Sequence, residues 1–337
     1  MDVLSDVLRV VRLTGAIFFT ARFSSPWSIS SPPPDLLARA LNSEAECLTL
    51  FHVLVEGQCW VGLENSAPYR MEAGDVVILP QGDVHIMSSR PDITPRPIGT
   101  LIPSFASDGI PNLHYGDGGA VTRFVCGYLE CDQRFNPLIG ALPPLFFVRP
   151  GRDGSWLGPD EKSSPGEPIV VHTAANDWLD RTLHYLAEEA MGERPGSPAM
   201  LTRLTEILFV EVVRRYTQQL PAEQTGWLAG VRDPEVGRAL RLLHKQPGRN
   251  WTVDLLARET GLSRSALARR FTDLLGEPPI LYLTGWRMQL AKRLLQEPAL
   301  SIPQVAEEVG YTSEAAFNRA FKRCVGKPPG IWREALA

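Results

Sequence analysis

The feature that most constrains this chain is a pattern that occurs twice in its C-terminal third. The stretches 254–279 and 301–333 share one order: a small residue, a glycine, an apolar residue, a hydroxyl residue, a phenylalanine, then Gly and Pro. The corresponding positions are Ala257 and Ala306, Gly261 and Gly310, Phe271 and Phe321, Gly276 and Gly326, and Pro279 and Pro329. Two copies in the same order indicate one supersecondary unit that is used twice.

Each copy has the signals of two helices that are joined by a tight turn. In the second copy, Ser301 and Gln304 are spaced to form a capping box at the start of the first helix. Gly310 is placed to end that helix in a left-handed conformation, and Ser313 is placed to cap the next one. The buried stripe of that next helix is predicted to be Phe317, Phe321 and Val325. The sequence therefore predicts helix-turn-helix motifs over 252–275 and 301–325.

The second copy also carries a family resemblance. Residues 306–329 read AEEVGYTSEAAFNRAFKRCVGKPP and resemble the C-terminal signature of the AraC/XylS family of transcription regulators. The matching positions are Gly310, Phe317, Arg319, Phe321, Lys322, Gly326 and Pro329. Pro328 departs from the family pattern, which usually has Ser or Thr at that position. The resemblance implies an all-α DNA-binding domain over 231–337; a helical bundle that makes no DNA contact is the alternative.

The outward faces of the second helix of each motif are predicted to enter the major groove of double-stranded DNA. The predicted DNA-binding residues are Arg264, Ser265, Ala268, Arg269, Glu314, Ala315, Asn318, Arg319 and Lys322. Arginine pairs with guanine, asparagine with adenine, and glutamate can accept from cytosine. Lys322 is expected to contact phosphate, which positions a protein without specifying a base. A helix predicted over 281–295 would hold the two motifs at a fixed spacing.

The charge of the chain is distributed unevenly. Its formal net charge is −4, yet the residues from Arg232 onward contain 17 Lys and Arg against 11 Asp and Glu. That part carries about +6, and the remainder therefore carries about −10. A basic C-terminal part on an acidic body is what attraction to phosphate confined to one domain would produce.

Cysteine usage and hydropathy bear on the compartment. Five cysteines, an odd number, show no disulfide framework, which favours a reducing cytosol. No stretch is apolar for 18 residues, so no membrane span is predicted. The apolar stretch 10–23 contains Arg12 and Arg22 and lacks a small-residue cleavage site, so it is not interpreted as a signal peptide. The expected location is the cytoplasm.

The N-terminal half has the short strands and frequent turns of a closed β-barrel. Gly74, Pro80, Gly82 and His85 fit the spacing of the second cupin motif, which this region resembles, while Ser89 stands where Asn is usual. The first cupin motif, with its two His and a Glu, is absent. Residues 124–148 resemble the second half of the sensor domain in a cupin-bearing branch of the same regulator family. The resemblance implies a cupin-like sensor barrel over 1–174.

Strand alternation places a small set of polar side chains inside this barrel. His52, Leu54, Cys59 and His85 are predicted to line a pocket for a small-molecule effector, and such a pocket would favour a ligand with one or two polar groups or a soft metal. Together with Cys126, the two histidines and Cys59 could form a tetrahedral zinc site, whereas buried hydrophobic cysteines and hydrogen-bonded histidines are the alternative. A cupin-type metal-dependent enzyme with a helical appendage is the rival function. It would need a complete metal triad, which the sequence lacks, so no enzyme activity is expected.

The segment between the barrel and the DNA-binding domain reads as two amphipathic helices over 175–217, followed by a linker over 218–230. In the family such a helical pair commonly mediates dimerisation, so the resemblance implies a homodimer that forms around Leu183 and Leu204. A pair folded wholly onto its own barrel is the alternative. RNA polymerase is a further candidate partner. The expected fold class is α+β with two domains: a cupin-like β-barrel with a helical pair, and an all-α domain with two helix-turn-helix motifs.

Overall fold

The structure is a computed structural model, and it describes residues 3–10, 13–41, 43, 45, 47–101, 110–131, 137–150, 169–173, 177–192, 194–221 and 225–334. The chain forms two compact units. The barrel unit comprises residues 12–134 and 142–221, and the helical unit comprises residues 1–11, 135–141 and 222–337. Each unit is described by itself below.

The barrel unit is built from twelve described strands in two sheets. The strands are β1 Leu13–Ser24, β2 Ser28–Ser30, β3 Cys47–Glu56, β4 Gln58–Leu63, β5 Tyr69–Glu72, β6 Val76–Leu79, β7 His85–Ser88, β8 Arg96–Pro97, β9 Asn112–Gly116, β10 Val121–Cys131, β11 Phe146–Pro150 and β12 Ile169–Thr173. The larger sheet has the order β12-β11-β6-β3-β10-β1-β9, and the smaller sheet has the order β5-β4-β7-β2-β8. In the larger sheet β3 and β10 pair antiparallel, with His52 opposite Cys126.

The core of the barrel unit lies between the two sheets. Side chains of the larger sheet, such as Leu50 and Phe124, share one buried cluster with Val61 and Met87 of the smaller sheet. Strand β3 is buried on both faces, because alternate residues point to opposite sides of a sheet and both sides are covered. Its even-numbered residues from Leu48 to Leu54 belong to the cluster between the sheets or line the cavity there.

Thirteen described α-helices accompany the strands. They are α1 Val3–Val10, α2 Pro34–Ala40, α3 Pro137–Gly140, α4 Trp178–Met191, α5 Ser197–Gln219, α6 Trp227–Arg232, α7 Pro234–Lys245, α8 Val253–Thr260, α9 Arg264–Leu275, α10 Pro279–Leu295, α11 Ile302–Glu308, α12 Glu314–Val325 and α13 Pro329–Glu334, with a 3₁₀ turn at Ile98–Thr100. Within the described residues, no helix has the length and hydropathy that crossing a membrane requires.

Helices α4 and α5 cover the outer face of the larger sheet. Leu183 of α4 and Phe209 of α5 lie with Phe51 and Leu129 around a second small cavity between helices and sheet. Leu183 is only 7% exposed, so the inward side of the pair packs on its own barrel and not on a partner. The side chain of Leu183 is therefore buried within its own unit, and dimerisation through the helices around Leu183 and Leu204 stays a prediction.

The helical unit contains helices from three parts of the sequence. Helix α1 contacts α7 and α10, and α3 contacts α6. These segments depart from the predicted boundaries, since they belong to the helical unit although the barrel was expected to span 1–174. The predicted linker 218–230 is also shorter than expected, because α5 extends to Gln219 and α6 begins at Trp227, whose side chain is buried.

The predicted fold class is confirmed: a β-domain of two facing sheets precedes an all-α domain that contains two helix-turn-helix motifs. In the helical unit the long helix α10 packs against α9, α11 and α12. Its residues Met288, Ala291 and Leu295 share a buried cluster with Phe317 and Phe321 of α12. Helix α10 is thus part of the core that links the two motifs, as the apolar spacing of 281–295 indicated.

Candidate functional site

The first helix-turn-helix consists of α8 and α9, and side-chain caps set the start of both helices. The Thr252 side chain accepts a hydrogen bond from the backbone N–H of Leu255, and the Ser263 side chain accepts one from Ala266. Such caps satisfy backbone donors that the helix leaves unpaired. Gly261 follows α8 with φ +79°, a left-handed conformation that ends the helix and allows the tight turn.

The second motif repeats this arrangement in α11 and α12. The hydroxyl of Ser301 accepts from the backbone N–H of Gln304, and the Gln304 side-chain oxygen accepts from the backbone N–H of Ser301 at 2.8 Å. The predicted capping box is confirmed. Gly310 has φ +84° in the turn, and the Ser313 side chain accepts from the backbone N–H of Ala316 at the start of α12.

The second helix of each motif, α9 or α12, turns an apolar face into the helical unit. Leu267 and Phe271 of α9 are fully buried, as are Phe317 and Phe321 at the corresponding positions of α12. Val325, the third residue of the predicted stripe, is half-buried. Because the apolar face of each helix is used in packing, only the opposite face is available to another molecule.

Most of the predicted DNA-binding residues lie on that opposite face. The exposed ones are Arg264, Ser265, Arg269, Glu314, Ala315, Arg319 and Lys322, while Ala268 and Asn318 are half-buried. The Arg264 guanidinium lies 3.3 Å from the Asp254 carboxylate of α8, and both side chains are exposed. The structure therefore places the predicted residues on two capped helices, and their contact with DNA stays a prediction.

Arg270 shows why exposure alone does not identify a DNA contact. Its guanidinium is half-exposed, yet it lies 2.6 Å from the Asp233 carboxylate and 3.2 Å from that of Glu235. Asp233 also caps α7 by accepting from the backbone N–H groups of Glu235 and Val236. Arg270 thus ties α9 to the start of α7. The neighbouring Arg269 is also exposed, but it lies on a different side of α9.

A cavity of about 30 Å³ lies between the two sheets of the barrel unit, and we call it the barrel cavity. Its wall is mainly aromatic and aliphatic and includes Phe19, Phe23, Leu50, Met87 and Phe124. The polar residues of the wall are Ser31, His52, His85 and Cys126. Of the predicted pocket residues, His52 and His85 line the barrel cavity. Leu54 and Cys59 are buried in the same core but are not among the residues of the wall.

Sequence reasoning missed most of the apolar wall. Phe19 and Phe124 come from β1 and β10, which are adjacent strands, while Met87 comes from β7 of the other sheet. Strand alternation could have indicated that Phe124 and Cys126 share a face, because they are two residues apart. No local signal indicates that the facing sheet brings Met87 to the same cavity.

The two histidines form one hydrogen-bonded chain with Cys126. His52 Nδ1 lies 2.9 Å from Cys126 Sγ, and His52 Nε2 lies 2.8 Å from His85 Nε2. His85 Nδ1 lies 3.0 Å from the backbone carbonyl oxygen of Asp83. Residues from β3, β7 and β10 therefore meet at the barrel cavity through side chains that contact one another.

The protonation states of His52, His85 and Cys126 follow from their burial. Burial, with the proximity of His85, lowers the pKa of His52 well below its ordinary value, and burial lowers the pKa of His85 to about 4. Burial also raises the pKa of the Cys126 thiol well above its ordinary value. Near pH 7 both imidazoles are therefore neutral and the thiol is protonated.

Because these side chains are neutral, each hydrogen bond among them has one defined donor and one defined acceptor. The carbonyl of Asp83 can only accept, so His85 Nδ1 carries the proton and His85 Nε2 is an acceptor. His52 Nε2 then donates to His85, and the remaining nitrogen of His52 accepts from the Cys126 thiol. Every ring nitrogen of the two histidines is used within the protein.

This geometry does not fit the zinc set that was considered for His52, Cys59, His85 and Cys126. An imidazole presents one nitrogen to a given ion, whereas His52 directs Nδ1 to Cys126 and Nε2 to His85. Within the described part of the chain, no group of three or more His, Cys, Asp or Glu is arranged to hold a metal ion. Packing directs the candidate ligands toward one another in this arrangement, and the zinc set stays a prediction.

A cupin-type domain followed by two helix-turn-helix motifs defines a DNA-binding transcription regulator. The cupin family model matches residues 2–159 and 167–218, which is more than half of the chain, and a helix-turn-helix domain model matches residues 256–335. The chain belongs to the AraC-like transcription regulators that have an N-terminal cupin domain.

Similar proteins cover the whole length of the chain. An AraC-like transcription regulator of Streptomyces lividans is 29% identical over 336 residues, which cover 99% of this chain and 98% of that one. The HTH-type transcriptional regulator AlkR of Acinetobacter baylyi is 27% identical over 337 residues and 99% of both chains. A crystal structure of the DNA-binding domain of AdpA in complex with a target DNA is 28% identical, with a TM-score of 0.30, over 31% of this chain and 93% of that one.

Proposed function

We propose that this regulator binds a specific DNA site through α9 and α12 and that a small molecule in the barrel cavity controls this binding. The observation that carries the DNA proposal is the equivalence of Arg269 and Arg319. Each lies two residues before the buried phenylalanine of its motif, and both are exposed. A repeated unit that presents the same guanidinium twice is suited to bind two successive segments of the major groove.

The other predicted DNA-binding residues, of which Ala268 and Asn318 are half-buried, divide by the contacts that their chemistry allows. Arg264, Ser265, Ala268, Glu314, Ala315 and Asn318 are proposed to contact base edges together with Arg269 and Arg319. Lys322 lies at the last turn of α12 and is proposed to contact phosphate. The basic charge of the C-terminal part supports this proposal because phosphate attraction supplies much of the affinity for DNA.

The test compares Arg319→Ala with Lys322→Ala in the full-length protein. Arg319→Ala should weaken binding to the specific site by about 1–3 kcal/mol and relax the base preference at one position. Lys322→Ala should weaken binding to all sequences alike. It should also reduce the slope of the logarithm of the binding constant against the logarithm of the salt concentration by about one. Equal behaviour of both variants across a library of sites would contradict the assigned roles. Arg270→Ala is the matched control, because Arg270 is engaged with Asp233.

We also propose that the protein is a homodimer, with the outward faces of α4 and α5 as the interface. Trp178 and Tyr185 of α4 are seven residues apart, as are Met200 and Ile207 of α5, and all four side chains are at least 40% exposed. Residues seven apart lie on one side of a helix, so each helix offers an apolar stripe. Leu204, which the resemblance suggested, is half-buried beside this stripe.

The proposed setting is the cytoplasm, with RNA polymerase as a candidate partner once the regulator is bound to DNA.

The chemistry of the barrel supports a sensor and not an enzyme. Burial lowers the pKa of His52 and raises the pKa of the Cys126 thiol, so His52 is a weak base for activating this thiol as a nucleophile. A turnover assay with a library of small substrates would contradict this proposal if it detected activity that depends on Cys126.

A further inference from the structure

The polar groups on the wall of the barrel cavity are engaged with the protein. His52 and His85 use both ring nitrogens, and the Cys126 thiol donates to His52. The hydroxyl oxygen of Ser31 accepts from the backbone N–H of His85 at 3.0 Å. Ser31 is half-buried, unlike His52, His85 and Cys126, which are buried. The buried part of the wall therefore has no spare nitrogen with which to bind a ligand.

The rest of the wall is hydrocarbon. Three phenylalanines, Phe19, Phe23 and Phe124, come from the larger sheet, and the other apolar residues of the wall include Leu50 and Met87. All five side chains are almost completely buried. A hydroxyl or amide that enters such a site without finding a partner loses about 1–3 kcal/mol, and an ionised group loses far more.

We propose that the barrel cavity binds an uncharged, apolar molecule, which aromatic and aliphatic contacts hold without a polar anchor. This inference rests on the proposed function of the barrel as a sensor, and it names the chemical class of the effector. It replaces the sequence-based expectation of a ligand with one or two polar groups or a soft metal. The replacement follows because the two histidines, which were to be the anchors, bind each other.

The size of the barrel cavity limits how such a ligand enters. A volume of about 30 Å³ is much smaller than the roughly 150 Å³ apolar cavity that holds benzene in an engineered protein. Binding must therefore displace part of the wall. Met87 is the side chain best suited to move, because its unbranched thioether has several rotatable bonds. Expansion of the wall on binding is also a route by which an apolar ligand changes the conformation of the barrel unit.

The experiment compares three probes of similar size against the full-length protein: benzene, phenol and benzoate. Binding is measured as a concentration-dependent rise of the thermal unfolding midpoint and by calorimetry. We expect benzene to bind at least tenfold more tightly than phenol and benzoate to give no shift. Tighter binding of phenol or benzoate than of benzene overturns the proposal. So does the absence of any shift with benzene in both the wild type and Leu50→Ala, which enlarges the cavity.

Two pairs of variants locate the site. Leu50→Phe fills the barrel cavity, whereas Leu208→Phe fills the second cavity between α5 and the larger sheet. The benzene shift should be lost in the first variant and kept in the second; the reverse result overturns the proposal. If a phenylalanine prevents folding, the enlarging variants decide, since Leu50→Ala should strengthen benzene binding at least threefold and Leu208→Ala should not.

A reversal of preference tests the role of the histidine pair. His85→Leu removes the acceptor of His52 Nε2 and leaves a buried N–H that faces the cavity. A ligand oxygen can then accept from it, so phenol should bind this variant more tightly than benzene does. An unchanged preference for benzene in the folded variant would show that the pair does not set the polarity of the site and would overturn that part of the argument.

These measurements separate the inference from the proposed function. Benzene that binds the barrel cavity but leaves the affinity for operator DNA unchanged would contradict control by ligand and leave the assignment of the cavity intact. Preferential binding of a polar probe, combined with a change in DNA affinity, would contradict the apolar class of the ligand and leave the control of DNA binding by a ligand intact.

Discussion

The imidazole of His244 stacks on the indole of Trp286, with ring centroids 3.9 Å apart and 4° between the ring planes. His244 Nε2 also lies 2.8 Å from the Tyr282 hydroxyl, which accepts from Trp227 Nε1 at 2.9 Å. The hydroxyl therefore donates to a neutral His244. Helices α6, α7 and α10 meet in this cluster, so α6 is joined to the core of the helical unit.

The buried imidazole of His244 should make stability fall in acid. Burial lowers its pKa from 6.5 to about 3, so the unfolded state binds a proton that the folded state does not. Stability is fully present above pH 6.5 and is lost as the pH falls toward 3, by about 1.4 kcal/mol per pH unit for one such group. Urea unfolding of the full-length protein between pH 7 and 5 measures the slope.

His244→Gln is the control for this slope. His52 and His85 are buried in the same neutral state, so they contribute equally to the wild type and to the variant. The difference between the two slopes belongs to His244. Equal slopes, or a His244 resonance that titrates near pH 6.5, would contradict the prediction.

Gly310→Ala should destabilise the protein more than Gly261→Ala. Both glycines end the first helix of a motif with positive φ, so both substitutions share the strain of a left-handed alanine, about 1 kcal/mol. At Gly310 a Cβ would also lie 2.7 Å from Gly248 Cα, whereas at Gly261 nothing lies within 4 Å. We expect about 1–3 kcal/mol of additional loss at Gly310, measured by denaturant unfolding. Equal losses would show that the turn relaxes freely.

Arg269→Ala and Arg270→Ala should separate DNA binding from structure. Arg269 is exposed at the position equivalent to Arg319, so its loss should reduce the affinity for the specific site about tenfold or more. Arg270 binds the Asp233 carboxylate, so its loss should leave DNA affinity nearly unchanged and reduce thermal stability. Titration with operator DNA and thermal melts of both variants test this. A larger loss of affinity in Arg270→Ala would reverse the assignment.

Ile207→Lys combined with Met200→Lys should convert the dimer to a monomer. Both side chains lie on the exposed stripe of α5, where two charges oppose burial against a second copy. Leu36→Lys is the control, because Leu36 is equally exposed but lies on α2. Sedimentation at micromolar concentration should show dimers for the wild type and the control only. A dimeric double variant would place the interface elsewhere.

The helix-turn-helix motifs could be predicted from sequence because their determinants are local. Ser301 and Gln304 form their capping box within one turn of helix, and the positive φ of Gly310 sets the turn that follows α11. The spacing of Phe317 and Phe321 likewise defines the buried face of α12 without reference to distant residues. The sequence by itself thus determined the fold class, both motifs and most of the outward residues of their second helices.

The tertiary structure alone decided the chemistry of the barrel and the ends of the two units. His52 and His85 are 33 residues apart and lie in facing sheets, so only packing shows that their Nε2 atoms meet. The same holds for Leu183, whose side chain packs on the sheet of its own unit. It also holds for Trp227, which was predicted to lie in the linker and instead donates a hydrogen bond to Tyr282. Hydrogen-bond direction and burial depend on contacts between distant segments, and a linear pattern does not contain them.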